Sequence, residues 1–222
     1  MTRFARPSLP ARARWHSRPA PISASSSRCS RERASPRTNG TTNCSPIGDV
    51  AILRNYDLDK PIIAAVNGFC IAGGMELIQA TDLRVASENA SFGLQEVKWA
   101  IIPAAGSLAR LQRQMPYCKA MEILLIGNRI DAQEAWRLGL INYVVPQAQL
   151  MAKAEELAAA IAANGPLAVR KIKEAVRRCS GRPLEEAFKI ENECAREVMK
   201  SEDAKEGPRA FMEKRQPNYK GR

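Results

Sequence analysis

Apolar residues fall into two regimes along this chain. Between Pro61 and Gly93 they form short runs bounded by polar or glycine-containing turns; beyond Ser107 they recur every three or four positions. The first pattern predicts strands and the second amphipathic helices. A strand rich in β-branched residues is predicted over 61–66, another over 82–86 and a short extended piece over 90–93. Helices are expected at 50–56 and 74–80. Strands alternating with helices imply α/β layering.

Further along, Asp131-Ala-Gln-Glu134 has the spacing of a capping box and Gly139 supplies a helix stop. A strand over 140–145 should close at Pro146. Leu150, Ala154, Leu157 and Ile161 then keep helical spacing up to the Asn164-Gly165-Pro166 break. More amphipathic helices are predicted at 167–179, 184–200 and 208–215. The pattern divides the chain into a segment 1–47 with neither periodicity, a mixed core over 48–145 and a helical region over 146–222.

Composition changes this picture mainly at the N-terminus. The 222 residues are 45% apolar, enough for one sizeable core. No apolar run approaches the roughly 18–20 residues that span a bilayer. Of the net charge of +11, residues 1–47 carry +8, from nine Arg against Glu32, so the remainder carries only +3. That segment is rich in Arg, Ser and Pro and cannot build a core, which predicts disorder. Its character fits an organellar leader, although its prolines break the amphipathic helix such leaders form. A basic nucleic-acid arm would need more interleaved aromatics than Phe4 and Trp15. The favoured reading is a shifted frame or start site.

Six cysteines show no paired spacing, which argues against a zinc site or a disulfide framework and for a reducing, cytoplasmic compartment. A mitochondrial matrix location is the alternative if 1–47 act as a transit peptide. His16 is the only histidine, so imidazole-based nucleophiles and metal sites are nearly excluded. Acid–base chemistry falls to carboxylates, Lys, Tyr or Cys.

The candidate chemistry lies in 60–109. Ala72-Gly73-Gly74 joins the predicted strand to a helix, a place where backbone N–H groups can approach a ligand closely. Glu76 follows on that helix, and Glu96 comes twenty residues later after Phe92-Gly-Leu-Gln. A backbone donor beside two carboxylates can stabilise an enolate and move a proton and a water across a double bond. The plainer readings are a tight turn at the glycines, a helix-start charge at Glu76 and an ion pair of Glu96 with Lys98 or Arg110. Cys70 lacks a base and reads as a small buried hydrophobe.

Asn67-Gly-x-x-x-x-Gly-Gly-x-Glu76 and Phe92-Gly-x-x-Glu96, taken together, closely resemble the enoyl-CoA hydratase/isomerase (crotonase) family over about 49–222. The resemblance implies an α/β spiral of β-β-α units with a helical C-terminal region that oligomerises as a trimer or hexamer. It assigns the Gly73 N–H as an oxyanion-hole donor, with Ala72 and Gly74 beside it against substrate, and Glu76 and Glu96 as catalytic residues. The substrate is then an acyl-CoA, with no metal and no separate cofactor.

Ala104, in Pro103-Ala-Ala-Gly106, stands where relatives carry glycine in a substrate-contacting turn. A loop resembling Ser-Ala-Gly-x-Asp, which supplies the second oxyanion donor in relatives, has no match in 1–59. The resemblance therefore implies 2-enoyl-CoA hydration, impaired if that donor is missing. Isomerisation by Glu96 alone is the alternative, and an inactive truncated member or an RNA-binding relative is the reading from another class.

Overall fold

The computed structural model describes residues 50–54 and 56–222. The expected disorder of 1–47 lies outside the described residues. Six strands divide between two three-stranded sheets. β1 (Ile63–Val66), β3 (Leu83–Ser87) and β6 (Tyr143–Val145) form one, in the order β1-β3-β6; β2 (Phe69–Ile71), β4 (Ser91–Gly93) and β5 (Ile130–Asp131) form the other, in the order β2-β4-β5. Pairing is parallel except between β4 and β5.

Each pass of the chain thus lays one strand into each sheet and then crosses back through helix: β1, β2 and α1 (Gly73–Ile78), followed by β3, β4, α2 (Ser107–Gln114) and α3 (Tyr117–Ile126). This is the β-β-α spiral. α4 (Ala132–Arg137) leads to β6, after which α5 (Leu150–Ala162), α6 (Pro166–Cys179), α7 (Leu184–Met199) and α8 (Asp203–Met212) make the C-terminal part helical. No helix among the described residues is long and apolar enough to cross a membrane.

Between the sheets and helices lies a core that includes Met75, Phe92 and Leu111, all fully buried. Burying side chains of this size stabilises the fold by about 1.5–3 kcal/mol each. Arg84 is buried with them, donating to the carbonyls of Leu140 (2.8 Å) and Thr81 (3.2 Å) and to Gln114 Oε1 (3.0 Å). Asn142 joins the same corner by accepting from the Arg84 N–H at 2.8 Å through Oδ1.

Several elements depart from the sequence expectation for identifiable reasons. The helix expected over 50–56 stops after Ala51, because Arg110 draws the carbonyls of Ile52 (3.2 Å) and Leu53 (2.9 Å) to its guanidinium and Leu53 turns left-handed at φ 54°. α1 ends at Ile78, where the Thr81 hydroxyl takes the Ile78 carbonyl at 2.7 Å. The expected strand over 140–145 starts only at Tyr143, since Leu140 and Ile141 are packed in the core.

α8 begins at Asp203 and carries Pro208 in its interior, where a helix starting at Pro208 was expected. Its first turn is fastened from outside: the N–H groups of Glu202 and Asp203 donate to the Arg222 carbonyl (2.8 and 3.4 Å) and that of Ala204 to Ser201 Oγ (3.1 Å). Those bonds start the helix earlier than the proline would. The Asp131 cap forms as the spacing implied, accepting from the Glu134 N–H at 2.8 Å.

Candidate active site

The paired-glycine turn sits between β2 and α1. Ala72 adopts φ 52° and ψ −124°, a conformation disfavoured for a residue with a Cβ, and its N–H donates to the Gly93 carbonyl at 2.9 Å. Strain of this kind persists only where surrounding structure enforces it. Here the enforcing contact ties the turn to the end of β4, three residues before Glu96. Gly73 and Gly74 are exposed, and a Cβ built on Gly73 would meet nothing within 4 Å. No neighbour among the described residues requires glycine at 73, which leaves its backbone open on that side.

Glu76, three residues on in α1, is buried at 4% exposure. Its Oε1 accepts from the Ser107 N–H at 3.2 Å, at the start of α2. Burial pushes its carboxyl above the ordinary glutamate range; the Ser107 and Ala105 N–H groups and the Ser107 hydroxyl oppose this, and the charge of Glu96 reinforces it. The Glu96 charge thus acts on Glu76 from the 3-10 turn that follows β4.

Glu96 opens a 3-10 turn, Glu96–Trp99, that follows β4. Its Oε2 is buried and makes no hydrogen bond among the described residues. The ion pair considered for it is not formed with either candidate cation: Lys98 donates to Asn128 Oδ1 at 2.9 Å, and Arg110 is turned to the carbonyls of Ile52 and Leu53. A buried carboxylate oxygen without a partner among the described residues is poised to accept from water or substrate.

Ala104 is exposed in the turn before α2, its carbonyl accepting from Arg54 at 3.1 Å. The same turn delivers the Ala105 and Ser107 donors to Glu76. Gly106 holds φ 131°, and a Cβ there would press on Arg110 Nη1 at 2.9 Å. Cys70 is buried under the glycine turn, its thiol pushed up to about 11, and has no role as a nucleophile.

Sequence reasoning missed Ser107, Gln79 and Arg110 as the surroundings of Glu76. Gln79 carried a signal, standing three residues after Glu76 on one helix and so on the same face. A groove of about 740 Å³ runs behind this layer toward α6, lined by Gln79 and Arg110 but not by Gly73, Glu76 or Glu96.

A family model for enoyl-CoA hydratase/isomerase matches residues 35–222. The chain belongs to the enoyl-CoA hydratase/isomerase family. It is 53% identical over 172 residues to enoyl-CoA hydratase EchA19 of Mycobacterium tuberculosis, covering 78% of this chain and 65% of that protein. Carnitinyl-CoA dehydratase of Citrobacter koseri is 45% identical over 181 residues, covering 80% and 69%.

Among solved structures, an enoyl-CoA hydratase from Bacillus anthracis superposes with a TM-score of 0.75 at 43% identity, covering 79% of this chain and 66% of that one. The spiral is thus the crotonase fold, and the chain belongs to a family of enzymes, the hydratases and their crotonase relatives. It spans about two thirds of the length of these relatives.

Proposed function

We propose that this chain adds water across the double bond of a 2-enoyl-CoA to give a 3-hydroxyacyl-CoA. The observation that carries the reading is the pairing of two carboxylates of unlike environment: Glu76 buried and held by backbone donors, Glu96 with an unpartnered oxygen, close enough that one raises the other's pKa. A single water between them can be oriented by both. Glu76 takes a proton from that water as its oxygen bonds to Cβ, and Glu96 passes a proton to Cα. The proton left on Glu76 returns to Glu96 through solvent, which closes the cycle. No metal or redox cofactor is needed for this balance, since the CoA thioester is itself the activated substrate.

Attack at Cβ puts negative charge on the thioester oxygen, and the exposed Gly73 N–H is the donor proposed to receive it. Ala72, Gly74 and Ala104 would border the thioester. One such donor is worth about 10² to 10³ in rate. A chain without the second donor that relatives carry would turn over more slowly by about this factor.

The names of the two relatives, a hydratase and a dehydratase, both denote gain or loss of water and favour hydration over double-bond shift. Homotrimeric or hexameric assembly is proposed with it, supported by the exposed apolar residues Ile172, Val176, Met199 and Phe211 on the C-terminal helices. A cytoplasmic location is likewise proposed, in keeping with bacterial relatives.

The test is hydration of a four-carbon 2-enoyl-CoA, followed at the loss of its conjugated absorbance. Glu76→Gln and Glu96→Gln should each lower kcat by about 10² or more. If Glu76→Gln instead retains turnover and shifts a 3-enoyl-CoA to the 2-enoyl isomer, the protein is an isomerase that works through Glu96.

A further inference from the structure

Glu76 accepts through Oε1 from the Ser107 N–H, and the side chains around that contact are as buried as the carboxylate. Ser107 is 0%, Gln79 2% and Glu76 4% exposed. Gln79 stands one turn after Glu76 on α1, and its Nε2 donates to the Met75 carbonyl at 3.1 Å and to Ser107 Oγ at 2.8 Å. The Met75 carbonyl can only accept, so it fixes which end of the amide faces it. Both amide protons are then committed. The Ser107 oxygen is thus an acceptor and its own proton must go elsewhere; the Ser107 N–H already donates to Glu76 Oε1 at 3.2 Å, which sets this residue against the carboxylate.

The dyad is itself anchored. Gln114 Nε2 donates to the Gln79 carbonyl at 2.8 Å, and Gln114 Oε1 is held by the buried Arg84 at 3.0 Å. The charged groups that face Glu76 are Glu96, from the 3-10 turn, and Arg110, from α2.

We propose that Gln79 and Ser107 are positioning residues for the hydration reaction, a one-way hydrogen-bond chain from the Met75 carbonyl through the Gln79 amide and the Ser107 hydroxyl that pins the Glu76 carboxylate in one orientation. This rests on the hydration reading, because it treats Glu76 as the group that accepts a proton from water. A hydroxyl compelled to donate stabilises the ionised carboxylate, counteracts its burial and leaves the remaining lone pairs of Glu76 directed to the site. If the hydroxyl were free to rotate, the carboxylate would sample orientations that do not address the water, and kcat would fall with substrate affinity untouched.

The test uses Ser107→Ala, Ser107→Thr and Gln79→Leu in the full chain. Two readouts are taken: the carboxyl carbon resonance of Glu76 as a function of pH, assigned by its disappearance in Glu76→Gln, and the pH profile of kcat/KM with a four-carbon 2-enoyl-CoA. Ser107→Ala should move the Glu76 titration to higher pH and carry the acid limb of the rate profile with it. It should lower kcat about five- to tenfold while KM stays within about twofold. Ser107→Thr should restore both, and Gln79→Leu should shift both the same way by less.

Should Ser107→Ala misfold because the Gln79 amide is left unpaired, the double variant with Gln79→Leu removes both partners together and serves instead. An unchanged titration, or a rate loss equal at every pH, would make the pair mere packing and overturn the proposal. If the parent shows no hydration that depends on Glu76, the reaction reading falls separately; the carboxyl titration then decides the dyad alone, a shift supporting it and none overturning it.

Discussion

Glu76 is a buried acid whose folded-state pKa lies above its ordinary value because desolvation outweighs the donors that face it. The linkage runs in one direction. A carboxyl raised on folding contributes its full stability below the unfolded pKa, and that contribution is lost as pH rises through the folded value. At neutral pH the ionised side chain therefore burdens the fold. Glu76→Gln keeps an oxygen to accept from the Ser107 N–H and removes the charge, so its thermal midpoint should exceed the parent's at pH 7 to 8. The gain should shrink toward zero as pH falls below the ordinary glutamate range. Thermal melts at several pH values check this; a variant less stable than the parent at pH 8 would show that the donors, not burial, dominate. Together with the loss of turnover expected of the same variant, the melt would separate a site that stores strain for function from a merely stabilising acid.

At the level of elements, β2 and the turn into α1 hold the contrast between a glycine kept for a ligand and a glycine kept for the chain. Gly73 is the first residue of α1 and an added methyl meets nothing, so Gly73→Ala should fold at least as well as the parent, given the roughly 0.5–1 kcal/mol helical advantage of alanine over glycine. Its methyl would nevertheless occupy the open side of the donor, and turnover should drop by about tenfold or more. Gly106→Ala should do the reverse: at φ 131°, with Arg110 Nη1 2.9 Å from the new carbon, it destabilises the start of α2 and, through Ser107, loosens Glu76. Melting temperature and kcat measured side by side distinguish the two.

These elements also show what was readable in advance. The Asn67-to-Glu76 spacing located the strand–helix turn before α1, and with Phe92-to-Glu96 it singled out the two acids of the proposed site, because chemistry at a strand–helix junction needs particular residues at fixed offsets. β2 was not separable from the run that precedes it, since Asn67-Gly68 divides two strands that enter different sheets and no local pattern distinguishes that crossing from a loop. Nor could spacing reveal that Ser107 and Gln79 meet, their contact being made across 28 positions by the folding of α2 onto α1.

For the whole molecule, the helical region is where local pattern and global behaviour part company. Periodicity located α5, α6 and α7 closely, yet their apolar faces are only partly spent among the described residues: Ile172 is 65%, Val176 69% and Leu184 68% exposed, and Phe211 on α8 81%. Ion pairs bind α6 to α7, Lys171 to Glu197 at 2.5 Å and Arg178 to Glu193 at 2.7 Å. The tail is clasped to α8 through Asp203, which accepts from the N–H groups of Lys220 and Gly221 at 2.7 Å each. Polar contacts thus fix the arrangement of these helices and leave the apolar side chains outward, an arrangement suited to burial against other copies. In the proposed trimer or hexamer those faces become interior. Light scattering at micromolar concentration should accordingly give the mass of three or six chains, and Phe211→Asp combined with Val176→Asp should lower it while far-ultraviolet dichroism retains the helical signal. A monomeric parent would refute the assembly and leave the catalytic proposal to stand on Glu76 and Glu96 alone, because the contacts described for both acids are made within a single chain.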